Sequence, residues 1–433
     1  MPILYCDNFR GFKNTFLTLE EVNFFVGENS TGKTSLLKLI GIISSPNFWR
    51  YGDFGSKDVN LGGFTDIITS RIDKDYFEIG IFNDTVIDQK NSHYAIRLRF
   101  IEMDNFPFLK EISFNSGFLN LQAIIEGKFV KFRYNIIEAS TDFNLKWFKN
   151  WIINNGLNEF SFIRVETQYK GVIPLLFDFR AKVIQENDNK QIRNWDKLVG
   201  NTDTLSFLNS FVWIAPIRAE PQRVYQYQGL NYEAEGKHSF SVLKDIIEGP
   251  DVKKILNRFG FDSGLYEDII IKELSTNSAP DTKAFEILFY INGTARNIVN
   301  VGYGISQILP IIIEAIARQD KTWFSLQQPE VHLHPRAQAA FGDFIFKTNV
   351  MDDQKFIVET HSDFIIDRFR LRLNRAYIEK SKNTNAQIVF FSDSGNGNKI
   401  EVIKLNRDGS YPVDQPKEFR SFFIREQLEI ISI

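Results

Sequence analysis

The feature that most constrains this chain is Gly27-Glu28-Asn29-Ser30-Thr31-Gly32-Lys33-Thr34, which satisfies G-x-x-x-x-G-K-[ST]. The glycines let backbone N–H groups turn inward around phosphate oxygens, and the start of a following helix adds the positive end of its dipole. Lys33 supplies a flexible cation for β- and γ-phosphates, and the Thr34 hydroxyl is a ligand for Mg²⁺. The flanks have the form this chemistry needs: residues 22–26 read as a short buried strand and 33–43 as an amphipathic helix. That setting argues against a chance match. The candidate nucleotide-binding residues are Gly27, Glu28, Asn29, Ser30, Thr31, Gly32, Lys33, Thr34 and Ser35, with ATP and Mg²⁺ as cofactors.

Composition narrows the class. A formal net charge of −3 over 433 residues carries no global basic field for nucleic acid or anionic membrane, and a single cysteine excludes an intrachain disulfide and multi-thiolate metal sites. The longest apolar stretch, 308–317, is interrupted by Glu314, far short of the roughly 18 residues of a spanning helix. Asp7 and Arg10 fall where a secretory apolar region would lie, so a cytoplasmic protein is expected. The 42 phenylalanines against 3 methionines read as an aromatic-rich core or coding bias.

Strand and helix signals alternate at both ends of the chain. Residues 92–101 place Ile96, Leu98 and Phe100 on one face and Arg97 and Arg99 on the other, the pattern of a half-buried strand. From about 102 to 210 short strands surround one helix over 142–155, with Ser140 and Thr141 as candidate caps, Phe143, Trp147 and Trp151 at helical spacing, and Gly156 as its stop. Later come a strand at 323–326, a helix at 336–346, a strand at 355–359, a helix from about Ser362, and a hairpin formed by 388–391 and 399–404. Such units imply an α/β fold with a mixed, largely parallel core sheet. The division expected is 1–101 and 211–433 as two parts of one α/β head, with 102–210 an inserted α+β region.

A phosphate loop needs an acidic strand end to hold Mg²⁺ and polarise water. The best candidate is the 324–335 segment, containing Gln327-Gln328-Pro329-Glu330 and His332-Leu333-His334-Pro335. Before it, Gly302, Gly304, Ser306 and Gln307 lead into an apolar helix, where Pro310 is tolerated only near the first turn. After it, Glu359-Thr360-His361-Ser362 forms a polar cluster at a strand end.

This ordered set resembles the ABC-type ATPases of the RecF/SMC/OLD-like class, and within them the AAA-labelled bacterial ATPases with an HLHP-type Walker B region. Residues 213–221, including Arg218, resemble a further motif of those proteins. The resemblance implies a composite site. Lys33 and Thr34 of one protomer would hold ATP and Mg²⁺, and the 302–307 segment of a second would close over the γ-phosphate. His361 would sense that phosphate, and 333–335 would cross between protomers. A glutamine loop is also implied, yet 61–81 contains no glutamine. Where the family has an acidic metal-side residue this chain has Gln327, with Gln328 beside it. An amide keeps the shape of glutamate but neither deprotonates water nor neutralises Mg²⁺. Two readings stay open: a natural low-turnover, nucleotide-sensing ATPase, or an introduced Glu→Gln exchange at 327. The catalytic candidates are Gln327, Gln328 and His361, and the metal candidates Thr34 and Gln327, with Glu330 a minor candidate for polarising water.

Blander readings compete elsewhere. His332 and His334 form His-x-His, but zinc is disfavoured without a cysteine cluster. Arg368, Arg370, Arg372 and Arg375 form a basic strip, either a solvated helix face or a contact for nucleic-acid phosphates. Trp147 and Trp151 read as core or partner-facing aromatics, and Arg218 as reaching an anion or an acid. The resemblance implies an ATP-gated, homodimeric or larger sensor in bacterial anti-phage defence, similar to retron, Septu and PARIS-type ATPases. No nuclease signature is visible, so a nuclease or toxin effector is expected in trans. The alternatives are a RecF-like DNA-binding ATPase of repair and a non-hydrolysing, ATP-dependent scaffold.

Overall fold

The computed structural model describes residues 1–421 except 56–58, 70–73, 88–89, 117–118, 137–142, 155–162, 167–170, 187–204, 217, 228–230, 277–278, 319 and 420. In chain order, β1 (Ile3–Asp7) and β2 (Thr15–Thr18) precede β3 (Val22–Gly27) and α1 (Lys33–Ser44). The short helices α2 (Pro46–Tyr51) and α3 (Phe64–Ile67) lead into β4 (Tyr76–Ile87), β5 (Lys90–Met103), β6 (Phe106–Asn115), β7 (Leu119–Glu126) and β8 (Phe129–Ile136). Next come α4 (Leu145–Asn154), β9 (Ile163–Glu166), α5 (Val172–Glu186), β10 (Phe211–Ile214) and β11 (Tyr225–Gln226). They are followed by α6 (Ser239–Ile246), α7 (Pro250–Ser263), β12 (Asp268–Thr276), β13 (Ala279–Ile291) and β14 (Thr294–Asn297). The remaining named elements are α8 (Tyr303–Ala317), β15 (Trp323–Gln327), α9 (Pro335–Asp352), β16 (Lys355–Glu359), α10 (Asp363–Ile378), β17 (Ala386–Asp393) and β18 (Asn398–Lys404).

The fold is mixed α/β, in two compact units. The first comprises Met1–Glu20, Glu28–Phe211 and Phe391–Ile400. Its eight-stranded sheet, in the order β2-β1-β4-β5-β6-β7-β8-β9, is antiparallel throughout. β5 runs through 101–102, and β6 to β9 extend the same sheet beyond it.

The half-buried expectation for β5 needs correcting, because both faces are covered. Ile96, Leu98 and Phe100 are buried, but so is Arg97, 6% exposed. Its guanidinium reaches the Ile152 carbonyl of α4 at 2.9 Å and Glu111 of β6 at 2.9 Å, while Arg99 bridges Glu78 at 2.8 Å and Glu111 at 2.9 Å. Buried charge persists only when paired, so period-2 alternation here separates an apolar layer from an ion-paired one. α4 starts later than its spacing predicts. Asn144 accepts from the Trp147 N–H at 3.0 Å and serves as its cap. Ser140, Thr141, Asp142, Asn155 and Gly156 lie outside the described residues. Trp151 is core, its indole N–H donating to Asn120 at 3.1 Å. Phe48, Phe54, Phe77 and Phe100 pack at centroid distances of 4.9–5.7 Å, each such pair adding about 0.5–1.5 kcal/mol beyond its buried area.

The second unit comprises Glu21–Gly27, Val212–Phe390 and Glu401–Ile433. Its sheet order is β10-β15-β16-β3-β17-β18, with β15, β16 and β3 parallel. β11, β13 and β12 form a second, antiparallel sheet, with β14 paired to β13. α8 is buried from Gly304 to Ala315, as an all-round apolar helix must be. Pro310 lies well inside α8, not in its first turn. Burial overrides its propensity cost, and Gly236 lies against it: a Cβ there would come within 2.7 Å of Pro310 Cβ.

α8 also carries a buried acid. Glu314 meets His238 Nε2 at 2.8 Å, accepts from Ser239 Oγ at 3.2 Å, and accepts from Arg318 Nε and Nη2 at 2.9 and 2.8 Å. Burial pushes its carboxyl upward, but the His238 and Arg318 donors outweigh burial and hold it below its ordinary 4.5. Such a depressed carboxyl stabilises the fold fully above pH 4.5 and loses that contribution as pH falls through its lowered value. Glu314→Ala should therefore cost about 3–5 kcal/mol at pH 7. Urea melts of both proteins at pH 7 and below pH 4.5 should show the gap narrowing with acid.

Candidate functional site

β3 is buried throughout and delivers the chain into the 27–34 loop. In that loop Ser30 and Gly32 adopt left-handed φ values of 64° and 92°, a way of turning successive N–H groups toward an anion. Thr31 Oγ1 and Lys33 Nζ both donate to the Glu28 carbonyl, at 2.7 and 2.6 Å, which ties the loop into a closed turn. Gly32 is the N-cap of α1, which has no side-chain cap, as a phosphate-binding helix start requires. Gly32 has a second reason to lack a side chain. A Cβ would lie 2.5 Å from the Phe12 ring and 2.7 Å from Asn398 Nδ2, and Asn398 is itself pinned to Arg10 and Gly11 carbonyls at 2.8 Å.

The second unit assembles the strand ends. Gln327 pairs in register with Glu359, and Glu359 with Phe25. The carboxyl ends of β15, β16 and β3 thus share one sheet edge, bringing together Gly27, Gln327, Gln328, Glu359, Thr360 and His361. Ligands of open parallel sheets bind outside that edge. Gln328 continues the ladder with its N–H on the Glu359 carbonyl at 2.8 Å while holding φ at 45°. His361 is exposed, and its N–H donates to Glu330 Oε1 at 2.7 Å. Glu330 Oε2 accepts from the Thr360 hydroxyl at 2.9 Å. Burial raises the Glu330 carboxyl above its usual range, opposed by those donors and by the Arg218 charge.

Arg218 was legible as a motif residue reaching for an anion or an acid, and the structure gives it a place. It is 2% exposed and donates from Nη2 to the Gln327 carbonyl at 3.2 Å, while its Nε and Nη1 have no hydrogen-bond partner. Burial lowers its pKa to about 10 against the pull of Glu330. His332 and His334 have structural work. His334 caps α9, its Nδ1 accepting from Arg336 N–H at 3.3 Å, and His332 packs edge-on to Tyr303 at 4.9 Å.

In the 302–307 segment, Gly302 is exposed, whereas Ser306 and Gln307 are buried. Ser306 Oγ donates back to the Tyr303 carbonyl at 2.8 Å. Gly304 sits so close to the His332 carbonyl that a Cβ would approach it to 2.6 Å. The arginine strip of α10 is largely engaged internally. Arg368 and Arg372 both bind buried Asp343, while Arg370 pairs with Asp367 and lies 3.6 Å over the Tyr411 ring. Arg375 stands in the last turn of α10.

The residues fit a nucleotide with its metal. The 27–34 loop has the form of an anion cradle, and the Thr34 hydroxyl in it is a hard donor. Among the described residues no group of three His, Cys, Asp or Glu could hold a metal by itself. No described helix is long and apolar enough to cross a membrane.

The AAA_15 family model, described as AAA ATPase domain, matches residues 4–366. No curated protein matches the sequence. Among solved structures, an Smc head bound to the C-winged helix domain of ScpA is 11% identical, covering 94% of this chain and 98% of that one, with a TM-score of 0.44. The Smc head with an extended coiled coil bound to the C-terminal domain of ScpA, from Pyrococcus furiosus, is 12% identical over 99% of this chain and 100% of that one, at 0.41. The SMC head domain from Thermotoga maritima is 10% identical over 93% and 98%, at 0.38. Likenesses at this level add nothing to the argument from the residues.

Gly32→Ala should weaken nucleotide binding about tenfold or more, since left-handed strain alone costs about 1–3 kcal/mol and the Phe12 ring must also move. Calorimetric titration with ATP checks it, with the melting temperature as the folding control.

Proposed function

Because the chain belongs to the AAA ATPase domain family, we propose that it binds Mg·ATP at the 27–34 loop and uses the nucleotide to gate association with a second copy of itself. The observation that carries this reading is the convergence of Gly27, Gln327, Gln328 and His361 at one sheet edge. Lys33 leaves the Glu28 carbonyl to meet the β/γ-phosphates, and Thr34 offers its hydroxyl to the metal. Bound Mg²⁺ supplies charge stabilisation to the phosphates. Gln327 presents a neutral amide on the metal side and Gln328 another beside it, so water activation is slow. His361, tied to Glu330 through its backbone, leaves its exposed side chain to sense the γ-phosphate. Gly302, with its exposed neighbour Tyr303, meets the partner copy, and Gly304 keeps the helix start tight against His332.

In the cell this makes the protein a cytoplasmic sensor subunit of an anti-phage defence system, with a nuclease or toxin effector encoded separately. The paired amides favour one second reading, a scaffold that ATP ties together without turnover. Phosphate release separates the two.

Lys33→Ala should abolish ATP binding by calorimetry in a protein that still melts cooperatively, and should remove phage protection in cells carrying the effector. Gln327→Glu should raise steady-state phosphate release by about one decade or more, since one group stabilising charge in the transition state is worth about 10²–10³ in rate. Equal rates for both proteins would mean that Gln327 is not the metal-side residue. ATP should raise the sedimenting mass of the unmodified protein and leave unchanged that of Gly302→Arg, whose position has open space for a side chain. Identical behaviour of the two would refute nucleotide-driven closure.

A further inference from the structure

α10 is fastened to the second unit on three sides. Ile365, Ile366, Phe369, Leu373 and Ala376 are buried. On one flank Arg368 and Arg372 bind Asp343 of α9. On the other, Arg370 and Asn374 donate to the carbonyls of Gly409 and Asp408 at 2.9 and 3.1 Å. The fourth side is open, and its composition is not that of a solvated face. Phe364 is 48% exposed, Leu371 39% and Ile378 69%, and Asp367 and Arg375 between them are exposed as well. A surface helix ordinarily turns polar residues outward. These five positions fall within an arc of about 80° at about 100° per residue. Three apolar side chains and two opposite charges therefore form a single stripe along a helix of 16 residues.

The order along the stripe is symmetric. From Phe364 the steps to Asp367, Leu371, Arg375 and Ile378 are three, four, four and three residues. Steps of three and four make a helix–helix seam, and the mirror order about Leu371 suits one occupant in particular. We propose that this stripe is an isologous docking surface for a second copy of the chain. Two α10 helices laid antiparallel across a twofold axis at Leu371 put Phe364 against Ile378 of the partner subunit and Asp367 against Arg375 of the partner subunit, each twice. Leu371 then packs on Leu371 of the partner subunit. In a parallel pair in the same register, acid would meet acid and guanidinium meet guanidinium, so charge selects the antiparallel arrangement. Asp367 already pairs with Arg370 at 2.8 Å, a solvated contact worth little by itself, and it has a second oxygen for the partner's guanidinium. Asp363 and Glu379, opposite each other in the same arrangement, stand about a quarter-turn off the stripe. One helix face makes a contact at the small end of specific interfaces, so association is reversible and of about micromolar strength. It needs no nucleotide, and ATP adds closure at the 302–307 segment to pairs already formed.

Sedimentation velocity in EDTA without nucleotide, at protein concentrations from about 1 to 100 µM, tests the surface. It is run on the unmodified protein, Leu371→Lys, Asp367→Lys, Arg375→Glu and an equimolar mixture of the last two, with melting temperatures alongside. The unmodified protein should pass from monomer to dimer over this range. Leu371→Lys sets two ammonium groups together on the axis and should weaken the dimer about tenfold or more. Each charge reversal brings like charges together twice in its own dimer and should weaken it by a similar factor. In the mixture each variant meets its opposite charge on the other at both contacts, so association should return to the unmodified level. A side chain acting only within its own chain gives no such recovery. An unmodified protein that stays monomeric at about 100 µM overturns the proposal. So does a folded Leu371→Lys that dimerises undiminished, or a mixture that associates no better than its components. If Asp367→Lys fails to fold, Leu371→Lys and Arg375→Glu are the test, and undiminished association in either overturns the surface. Nucleotide is absent throughout, so none of these outcomes bears on the ATP-gated reading.

Discussion

The parallel ladder of β15, β16 and β3 is the constraint on which the rest of the second unit depends. Val22 pairs with Phe356, and Trp323 with Lys355, so segments far apart in the chain are held in one register by backbone hydrogen bonds. A slip of one residue would move every side chain to the opposite face. The register is protected on both sides. Phe24, Val26, Phe324, Leu326, Phe356 and Val358 share one apolar core, while Asn23, fully buried, donates to the Phe356 carbonyl at 3.2 Å and accepts from Gln387 at 2.8 Å. Buried amides that find partners only in one alignment penalise the others.

From this edge a polar network extends into the loops. Arg218 holds the Gln327 carbonyl, Glu330 holds Thr360 and the His361 N–H, and the Ser362 hydroxyl donates to Gln338, whose amide donates to the Leu333 carbonyl. The segment after β15 and the segment after β16 are therefore coupled through side chains, not only through the ladder. Both left-handed residues of the first segment, Gln328 and His332, lie within this region. Strain of that kind survives only where surrounding contacts over-determine the conformation. The Arg218 guanidinium has two nitrogens without a hydrogen-bond partner, and an unpaired buried polar group is costly in a low-dielectric interior.

The first unit solves a different problem. Its long antiparallel sheet has charge on a covered face, where Arg97, Arg99, Glu78 and Glu111 neutralise one another, and aromatic packing supplies the opposite layer. The abundance of phenylalanine is thus a property of the core and not of a site. The same logic holds in α10, where Asp343 draws in Arg368 and Arg372. Burial pushes its carboxyl up, and the two guanidiniums outweigh burial and hold it below the usual range.

What could be read from the chain alone was local. The phosphate loop, β3 before it and α1 after it follow from spacing within about a dozen residues. So do the helices expected over 336–346 and from about Ser362, because turn chemistry and periodicity act between near neighbours. The mixed α/β class followed from the alternation of those signals. Tertiary packing decided the rest. It placed Pro310 deep in a helix, covered the charged face of β5, and tied the arginines of α10 to a buried acid. It also set the Phe12 ring and Asn398 against Gly32, and put Glu359 in register with Gln327. None of these has a local signature, since each depends on which distant segment supplies the partner for a buried polar or crowded group, and that choice is made by the burial of the chain as a whole.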